Sequence, residues 1–305
     1  MRIAILGYGE MGKSFEKLLA GRASTTIWDK NLDSGEENQP LEQAVEAARA
    51  VILAVPAAAV EEIAERIAPE LTSNATVFTI AKGITAEARH PLEILREALG
   101  DDSVAGIYGP MIGEELQAGQ HGFADVAALS EAAWQAARDV FNGTHLRLRR
   151  ASDPWSAAWA AVAKNIYVPV IGAAAELGLG DNLRGALFAN ALEEMRGLGA
   201  KLGSGGSPLT GLSGAGDLFT TATSDGSHHH EAGRALARGD HSKTGTEGEN
   251  IRGEGFHSLR CLRERLDPAT DEFPLFAAAE ALLESPQAFR DALDAWMEDR
   301  PLEAR

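Results

Sequence analysis

A single cysteine, Cys261, stands in 305 residues, which excludes an intramolecular disulfide framework and a cysteine-based metal site. Cations are scarce as well: 28 Lys and Arg against 45 Asp and Glu give a formal net charge of −17. Nucleic acid or an anionic membrane would require a basic face to displace counterions from phosphate, so neither is an expected partner. No charged n-region with an apolar h-region and cleavage site precedes the first strand, and a reducing cytoplasm is the expected location. Internal repeats and low-complexity tails are missing too. The longest apolar stretch, 155–177, is interrupted at its centre by Lys164, Asn165 and Pro169, which fits a buried helix better than a membrane span. What remains is 45% hydrophobic content, enough for a full core and for two domains.

The first twelve residues organise the chain. Ile3-Ala4-Ile5-Leu6 feeds into Gly7-Tyr8-Gly9-Glu10-Met11-Gly12, and the helical pattern Phe15, Leu18, Leu19 follows. A strand, a G-x-G-x-x-G turn and a helix form the context of a dinucleotide fingerprint. Gly7 permits the sharp turn, Gly9 a close approach to pyrophosphate, and Gly12 tight helix packing, with the helix N-terminus aimed at the phosphates. Glu10 and Met11 lie inside that turn and are candidate cofactor contacts with it. About twenty residues on, a second β run ends at Asp29, which can bond both ribose hydroxyls and repel a 2′-phosphate. The cofactor expected is NAD in preference to NADP, with Lys30 beside Asp29 opposing that choice.

Strand and helix patterns then alternate: apolar runs at 51–55, 75–80 and 104–108, further strands at 123–129 and 146–149, and helical patterns at 41–50, 57–68, 91–99 and 131–141. Such alternation predicts a doubly wound parallel sheet of the Rossmann type, with ligands at the carboxyl ends of the strands. Lys82 and Gly109 fall at such ends. At Ser152-Asp153-Pro154 the pattern changes, since an Asp cap and a Pro at the first helical position open a helix and no convincing strand follows. The expected fold class is thus α/β, with a dinucleotide-binding domain at 1–151 and an all-helical domain at 152–305. The helices of the second domain are expected at 155–177, 183–202, 217–236, 256–265 and 275–296.

Lys164 is the most informative side chain outside the glycine turn. Burying an ammonium among Ala, Val, Ile and Trp is costly unless a partner or a function compensates, and desolvation lowers its pKa towards the range of proton exchange near neutrality. A lysine that snorkels to the surface is the plain alternative. Asp217 ends the glycine-rich run Gly211-Leu212-Ser213-Gly214-Ala215-Gly216, where it can cap the next helix or pair with Lys164. The triplet His228-His229-His230 is a poor metal site, because three consecutive helical residues point in different directions.

Ala163-Lys164-Asn165, the run 211–218 ending in Asp217-Leu218, Ala81-Lys82-Gly83, Gly109-Pro110 with Glu114-Glu115, and Glu247-Gly248 together resemble the NAD(P)-dependent glycerol-3-phosphate dehydrogenase family. The resemblance runs in order over nearly the whole chain. It implies a Rossmann domain and an all-helical domain with the substrate between them, Lys164 as proton donor and acceptor, and Asp217 as its partner. It also implies that Asn165 and Thr221 share that pocket, that Lys82 and Gly109 lie near substrate, and that Lys82, Gly113 and Glu247 lie near the cofactor. The chain departs from the family at three places. Ser227-His228-His229 replaces the Ser-Arg-Asn whose arginine grips phosphate, Met111 replaces a small hydroxyl residue after Gly-Pro, and Glu10 replaces a neutral residue in the turn.

The function implied is hydride transfer between NADH and dihydroxyacetone phosphate, or the reverse from glycerol 3-phosphate, with the distal end of the substrate at Ser227, His228 and His229. The alternatives are a related dehydrogenase acting on an unphosphorylated hydroxy or keto substrate, and a non-catalytic NAD-binding sensor. Lys164 and Asp217 together argue against the sensor, which has no use for a buried lysine. The expected partner is a small molecule, with a homodimer compatible with the family and no metal.

Overall fold

Strand β1 (Arg2–Leu6) is buried from Ile3 to Leu6 because it is paired with a parallel strand on each side within a seven-stranded sheet. The order is β2-β1-β3-β4-β5-β6-β7, with β2 (Ser24–Trp28), β3 (Ala50–Leu53), β4 (Thr76–Thr79), β5 (Val104–Tyr108), β6 (Gly122–Ala128) and β7 (Leu146–Arg150). The computed structural model describes residues 1–32, 39–207, 209–224, 226–242, 254–267 and 272–298.

The first five strands are parallel, as the alternation of patterns predicts. Helices α1 (Glu10–Leu19), α2 (Leu41–Val45), α3 (Val60–Ile67) and α4 (Pro91–Leu99) make the crossovers, and the continuous apolar strands follow from being covered on both faces. β6 departs from the expected parallel sheet and pairs antiparallel with β5. The link between them holds only the short helix α5 (Gly113–Gln117), too little for a right-handed crossover, so the chain turns back instead. After α6 (Glu131–Phe141), β7 pairs parallel with β6.

Helix α7 (Pro154–Glu176) opens as its sequence predicts, with Pro154 in the first turn and the Asp153 carboxylate accepting the N–H groups of Trp155 and Ser156, each at 3.1 Å. Every residue from Ser156 to Ala174 is buried. The helix is long and apolar enough to cross a membrane, but its apolar window lies wholly inside the fold. Ala157, Ala158 and Ala161 join the sheet's core, while Trp159, Val162, Ile166 and Val170 join the helical core. Around α7 pack α8 (Asp181–Lys201), α9 (Asp217–Thr223), α10 (His228–Ala237), α11 (Glu254–Leu266), α12 (Pro274–Glu284) and α13 (Pro286–Glu298). Two helices expected as single pieces are broken. Ser227 caps α10 by accepting the His230 N–H at 3.2 Å, and Pro286, with no N–H to donate, starts a new helix after Ser285.

The sheet layer and α7 are joined by a buried histidine. His90, fully buried at the N-cap of α4, accepts the Leu92 N–H on Nδ1 at 2.9 Å. Its Nε2 therefore carries the proton and donates to the Ala158 carbonyl of α7 at 3.2 Å. Trp159 and Tyr108 meet the ring edge to face, with centroids 5.1 and 6.0 Å away. Burial pushes the imidazole pKa from its ordinary 6.5 down to about 3, with the Ala158 bond opposing.

This arrangement gives stability a defined pH dependence. The unfolded chain binds the proton first as pH falls, so the contribution of neutral His90 is complete above about 6.5 and is lost progressively towards about 3. His90→Asn should flatten that slope, measured by urea unfolding between pH 4 and 8. At pH 7.5 it should cost about 1–3 kcal/mol through the lost bond to Ala158. An unchanged slope would show that other groups govern acid unfolding.

Candidate active site

Five segments converge beyond the ends of β4 and β5. Lys82 follows β4, Gly109 follows β5, Lys164 and Asn165 lie at the middle of α7, Asp217 and Thr221 sit one turn apart on α9, and Glu254 opens α11. Lys164 does not snorkel: it is 3% exposed, and its Nζ donates to Thr221 Oγ1 at 2.8 Å. Asp217 Oδ2 stands 3.5 Å from that ammonium and only 2.8 Å from Lys82 Nζ. One carboxylate oxygen therefore serves two cations, and the closer is Lys82, which also reaches the Gly109 carbonyl at 3.4 Å. Asp217 does not cap α9 with its side chain. The Thr221 hydroxyl spends its proton on the Asp217 backbone carbonyl at 2.7 Å, which leaves its lone pairs for Lys164.

The glycine-rich run places this aspartate. Residues 212–216 form a π-turn, and Ser213 gives both its N–H and its hydroxyl to Asp125 Oδ2 on β6, each at 2.9 Å. Arg149 on β7 completes the anchor by bonding Asp125 Oδ1 at 2.7 Å. Sequence reasoning passed over Asp125. A lone aspartate in an apolar strand was the available signal, since a carboxylate buried there demands partners.

Burial pushes Lys164 down to about 8, assisted by Lys82 and opposed by Asp217 and Glu254. A group that titrates there can give and take a proton near neutrality. Asn165, 1% exposed, donates from Nδ2 to Glu254 Oε2 at 3.4 Å, while its buried Oδ1 has no hydrogen-bond partner among the described residues. Glu254 was missed in the sequence. Two Glu-Gly pairs lie seven residues apart, and it is the second, Glu254-Gly255, that opens a helix against Asn165. Glu247 lies outside the described residues.

At the other mouth of the cleft the glycine turn is built as a cradle. Gly7 has φ +96°, a conformation L side chains avoid, and a Cβ on Gly12 would stand 2.0 Å from the Gly7 carbonyl oxygen. Gly9 has open space where a Cβ would go, and among the described residues no side chain caps α1. The first N–H groups of the helix, at Glu10 and Met11, are thus left for an anion. Asp29, at the end of β2, accepts the Tyr8 N–H on Oδ2 at 2.6 Å and the Asn31 N–H on Oδ1 at 2.8 Å. The exposed Glu10 lies against Gly113, whose carbonyl accepts the Ser14 hydroxyl at 3.0 Å and so docks α5 on α1. These residues fit a dinucleotide: an uncapped helix start, a turn without Cβ atoms and a carboxylate at the second strand.

The histidines divide. His228 is exposed at the start of α10, and Ser227 is occupied as its cap. His229 is 8% exposed, and burial, with the nearby charges of Lys164 and Lys82, holds its pKa well below the ordinary value. A neutral His229 ring therefore faces the charges of the lysine pair, while His228 lies on the exposed side of the helix start. Met111 is 8% exposed and packs into the sheet core beside Leu116, so its side chain fills the core.

A Rossmann layer with a phosphate cradle, facing a helical layer with a desolvated lysine, defines a nicotinamide-dependent oxidoreductase acting on a small molecule. Comparison with known proteins makes this specific. Residues 36–134 match the model of the NAD-dependent glycerol-3-phosphate dehydrogenase N-terminus, and residues 153–294 that of its C-terminus. The chain is 30% identical over 285 residues to glycerol-3-phosphate dehydrogenase [NAD(P)+] of Moorella thermoacetica, covering 86% of this chain and 85% of that protein. It is 28% identical over 307 residues to the enzyme of that name from Teredinibacter turnerae, covering 93% and 90% of the two chains. The crystal structure of glycerol-3-phosphate dehydrogenase from Coxiella burnetii superposes with a TM-score of 0.83 at 23% identity, over 97% of this chain and 98% of that one. The chain belongs to the NAD-dependent glycerol-3-phosphate dehydrogenase family.

The cradle makes a direct prediction. Gly12→Ala should weaken NADH binding at least tenfold, because the new methyl must push the Gly7 carbonyl out of the turn, a strain of about 1.4 kcal/mol or more. Calorimetric titration of the folded variant measures it, and affinity within twofold of the parent would show that the turn does not hold the cofactor.

Proposed function

We propose that the protein interconverts dihydroxyacetone phosphate and glycerol 3-phosphate, with residues 1–151 binding the dinucleotide and 152–305 supplying the catalytic lysine. The observation that carries this reading is Lys164, 3% exposed, with its amine held by Thr221 and Asp217. The nicotinamide supplies or takes up the hydride. When the ketone is reduced, Lys164 gives its proton to the oxygen as negative charge grows there. In the other direction the neutral amine removes the hydroxyl proton. Asp217 keeps the amine aimed, and Lys82 adds a second positive charge on the substrate side of the same carboxylate. Asn165, Gly109 and the neutral His229 line the remaining wall. Exclusion of water strengthens each of these interactions and keeps Lys164 near the pKa its task requires.

A second reading keeps the chemistry and changes the substrate to an unphosphorylated hydroxyketone. It is favoured by His229, whose imidazole is held well below its ordinary pKa by burial and by the charges of Lys164 and Lys82, and so offers no charge with which to grip a phosphate as a guanidinium fork does.

For the cofactor we favour NAD over NADP. Asp29, fixed by the N–H groups of Tyr8 and Asn31, sets a negative charge where a 2′-phosphate would lie. NADH should therefore give the higher kcat/KM, and Asp29→Ser should narrow the ratio. An NADPH preference in the parent would show that Lys30 dominates.

The test of function is NADH oxidation with dihydroxyacetone phosphate and with dihydroxyacetone. The phosphorylated ketone should react, and Lys164→Ala should lower its turnover by about 10²–10⁴-fold while NADH affinity stays within a few-fold. Turnover of the unphosphorylated ketone alone would establish the second reading. A fully active Lys164→Ala variant would remove the lysine from the mechanism.

A further inference from the structure

Glu254 takes no part in the proton transfer described above, yet it is wedged between the neighbours of both lysines. Its Oε2 lies 3.4 Å from the amide nitrogen of Asn165, the residue after Lys164. Its Oε1 lies against Gly83, the residue after Lys82, where a Cβ would stand only 2.4 Å away. The helix carrying it is seated closely. Pro169 has no N–H to offer the Asn165 carbonyl four residues earlier, and the Cα of Gly255 packs on that carbonyl so tightly that a Cβ would come within 2.1 Å. Among the described residues Glu254 forms no ion pair, because both ammonium groups turn to Asp217.

Among the described residues, the charged and titratable groups facing Lys164 are Asp217 on α9, Lys82 after β4, Glu254 on α11 and His229 on α10. Asp217 is shared, standing 2.8 Å from Lys82 and 3.5 Å from Lys164. His229 is held neutral by burial and by the lysines. Glu254 is the member of the group whose charge is free to vary near neutral pH: burial raises it to about 7, with Lys164 and Lys82 opposing.

We propose that Glu254 is a positioning residue for the transfer step, whose carboxylate holds Lys164 in its ammonium form and so sets the pH at which the lysine changes from proton donor to proton acceptor. The inference rests on the reading of Lys164 as the group that exchanges the proton. The sign follows from charge. A carboxylate near an ammonium favours the protonated amine, so removing it lowers the lysine pKa. Ketone reduction, which needs the ammonium, should lose its alkaline limb at a lower pH. Alcohol oxidation, which needs the free amine, should begin at a lower pH.

Glu254→Gln keeps the side-chain length and a hydrogen-bonding group for Asn165 while removing the charge. The primary measurement is competitive acetylation of the Lys164 amine by acetic anhydride in the cofactor-free protein from pH 6 to 10, read by mass spectrometry. Its inflection should fall by about half a pH unit or more in Glu254→Gln. Glu254→Ala, which also lacks the charge, should give a shift of the same sign, so the result does not depend on one variant folding. Glu254→Asp, which keeps the charge, should stay nearer the parent. The alkaline limb of dihydroxyacetone phosphate reduction should move with the labelling inflection. Inflections at the parental pH in both neutral variants, with activity lowered equally at all pH values, would reduce Glu254 to a packing residue and overturn the proposal. Labelling needs no substrate, so a parent inactive on that ketone would overturn the proposed function without touching this result.

Discussion

The arrangement depends on one costly act, the burial of the Lys164 ammonium in the middle of an apolar helix. An isolated charge there would shed its proton, and the whole neighbourhood is built to prevent that while stopping short of pinning it. Asp217 supplies the opposing charge, but its nearer partner is Lys82. Sharing one carboxylate oxygen between two cations leaves Lys164 with enough attraction to remain buried and too little to become an ordinary ion pair with a raised pKa. Thr221 fills the gap with a neutral acceptor at 2.8 Å. Had the aspartate bonded Lys164 alone and closely, the lysine would be a firmer ion-pair partner and a poorer proton donor.

That balance requires the two layers to be held in register, and the anchoring follows from it. Lys82 comes from the sheet, Lys164 from the central helix and Asp217 from a short helix after a π-turn. An error of an ångström in any of them changes which cation owns the carboxylate. Asp125 ties the π-turn to β6 through Ser213, and His90 ties α4 to α7 through Ala158. Both are buried polar groups with their bonds satisfied, which makes each a geometric constraint and penalises any shift that would leave one unpaired. The early alanines of α7 serve the same end. Small side chains at Ala157, Ala158 and Ala161 let the helix lie on the sheet before it continues into the helical layer.

Much of this was legible in the residues, for identifiable reasons. The glycine turn, Asp29 and the apolar strands show because a parallel sheet covered on both faces imposes continuous hydrophobic runs, and because a phosphate cradle tolerates few residue types. Lys164 shows because charge inside an apolar helix is conspicuous. The antiparallel β6 was hidden, since strand direction depends on what its connection can span and not on the strand's own pattern. The breaks at Ser227 and Pro286 were readable as a cap and a proline, but helical periodicity continued across them and outweighed the signal. Glu254 was obscured because a glutamate near glycine in a polar stretch looks like solvated loop. Only the packing of Gly83 and Asn165 around it reveals a carboxyl partly withdrawn from water.

The overall charge of −17 sets a further condition on the cleft. Both the dinucleotide and the proposed phosphorylated substrate are anions, and the surface as a whole repels them. At physiological ionic strength screening confines that repulsion to about 8 Å, so capture depends on the local field and not on the total. Among the described residues the local field is positive at the uncapped start of α1 and at the lysine pair, which exceeds the single charge of Asp217. Ionisation of Glu254 just outside that pair subtracts from it. The same carboxyl that keeps Lys164 protonated therefore also lowers the attraction for anions as pH rises. On the proposed reading, proton donation and anion capture are coupled through one side chain, and tighter anion binding at low pH comes with a weaker hold on the Lys164 proton.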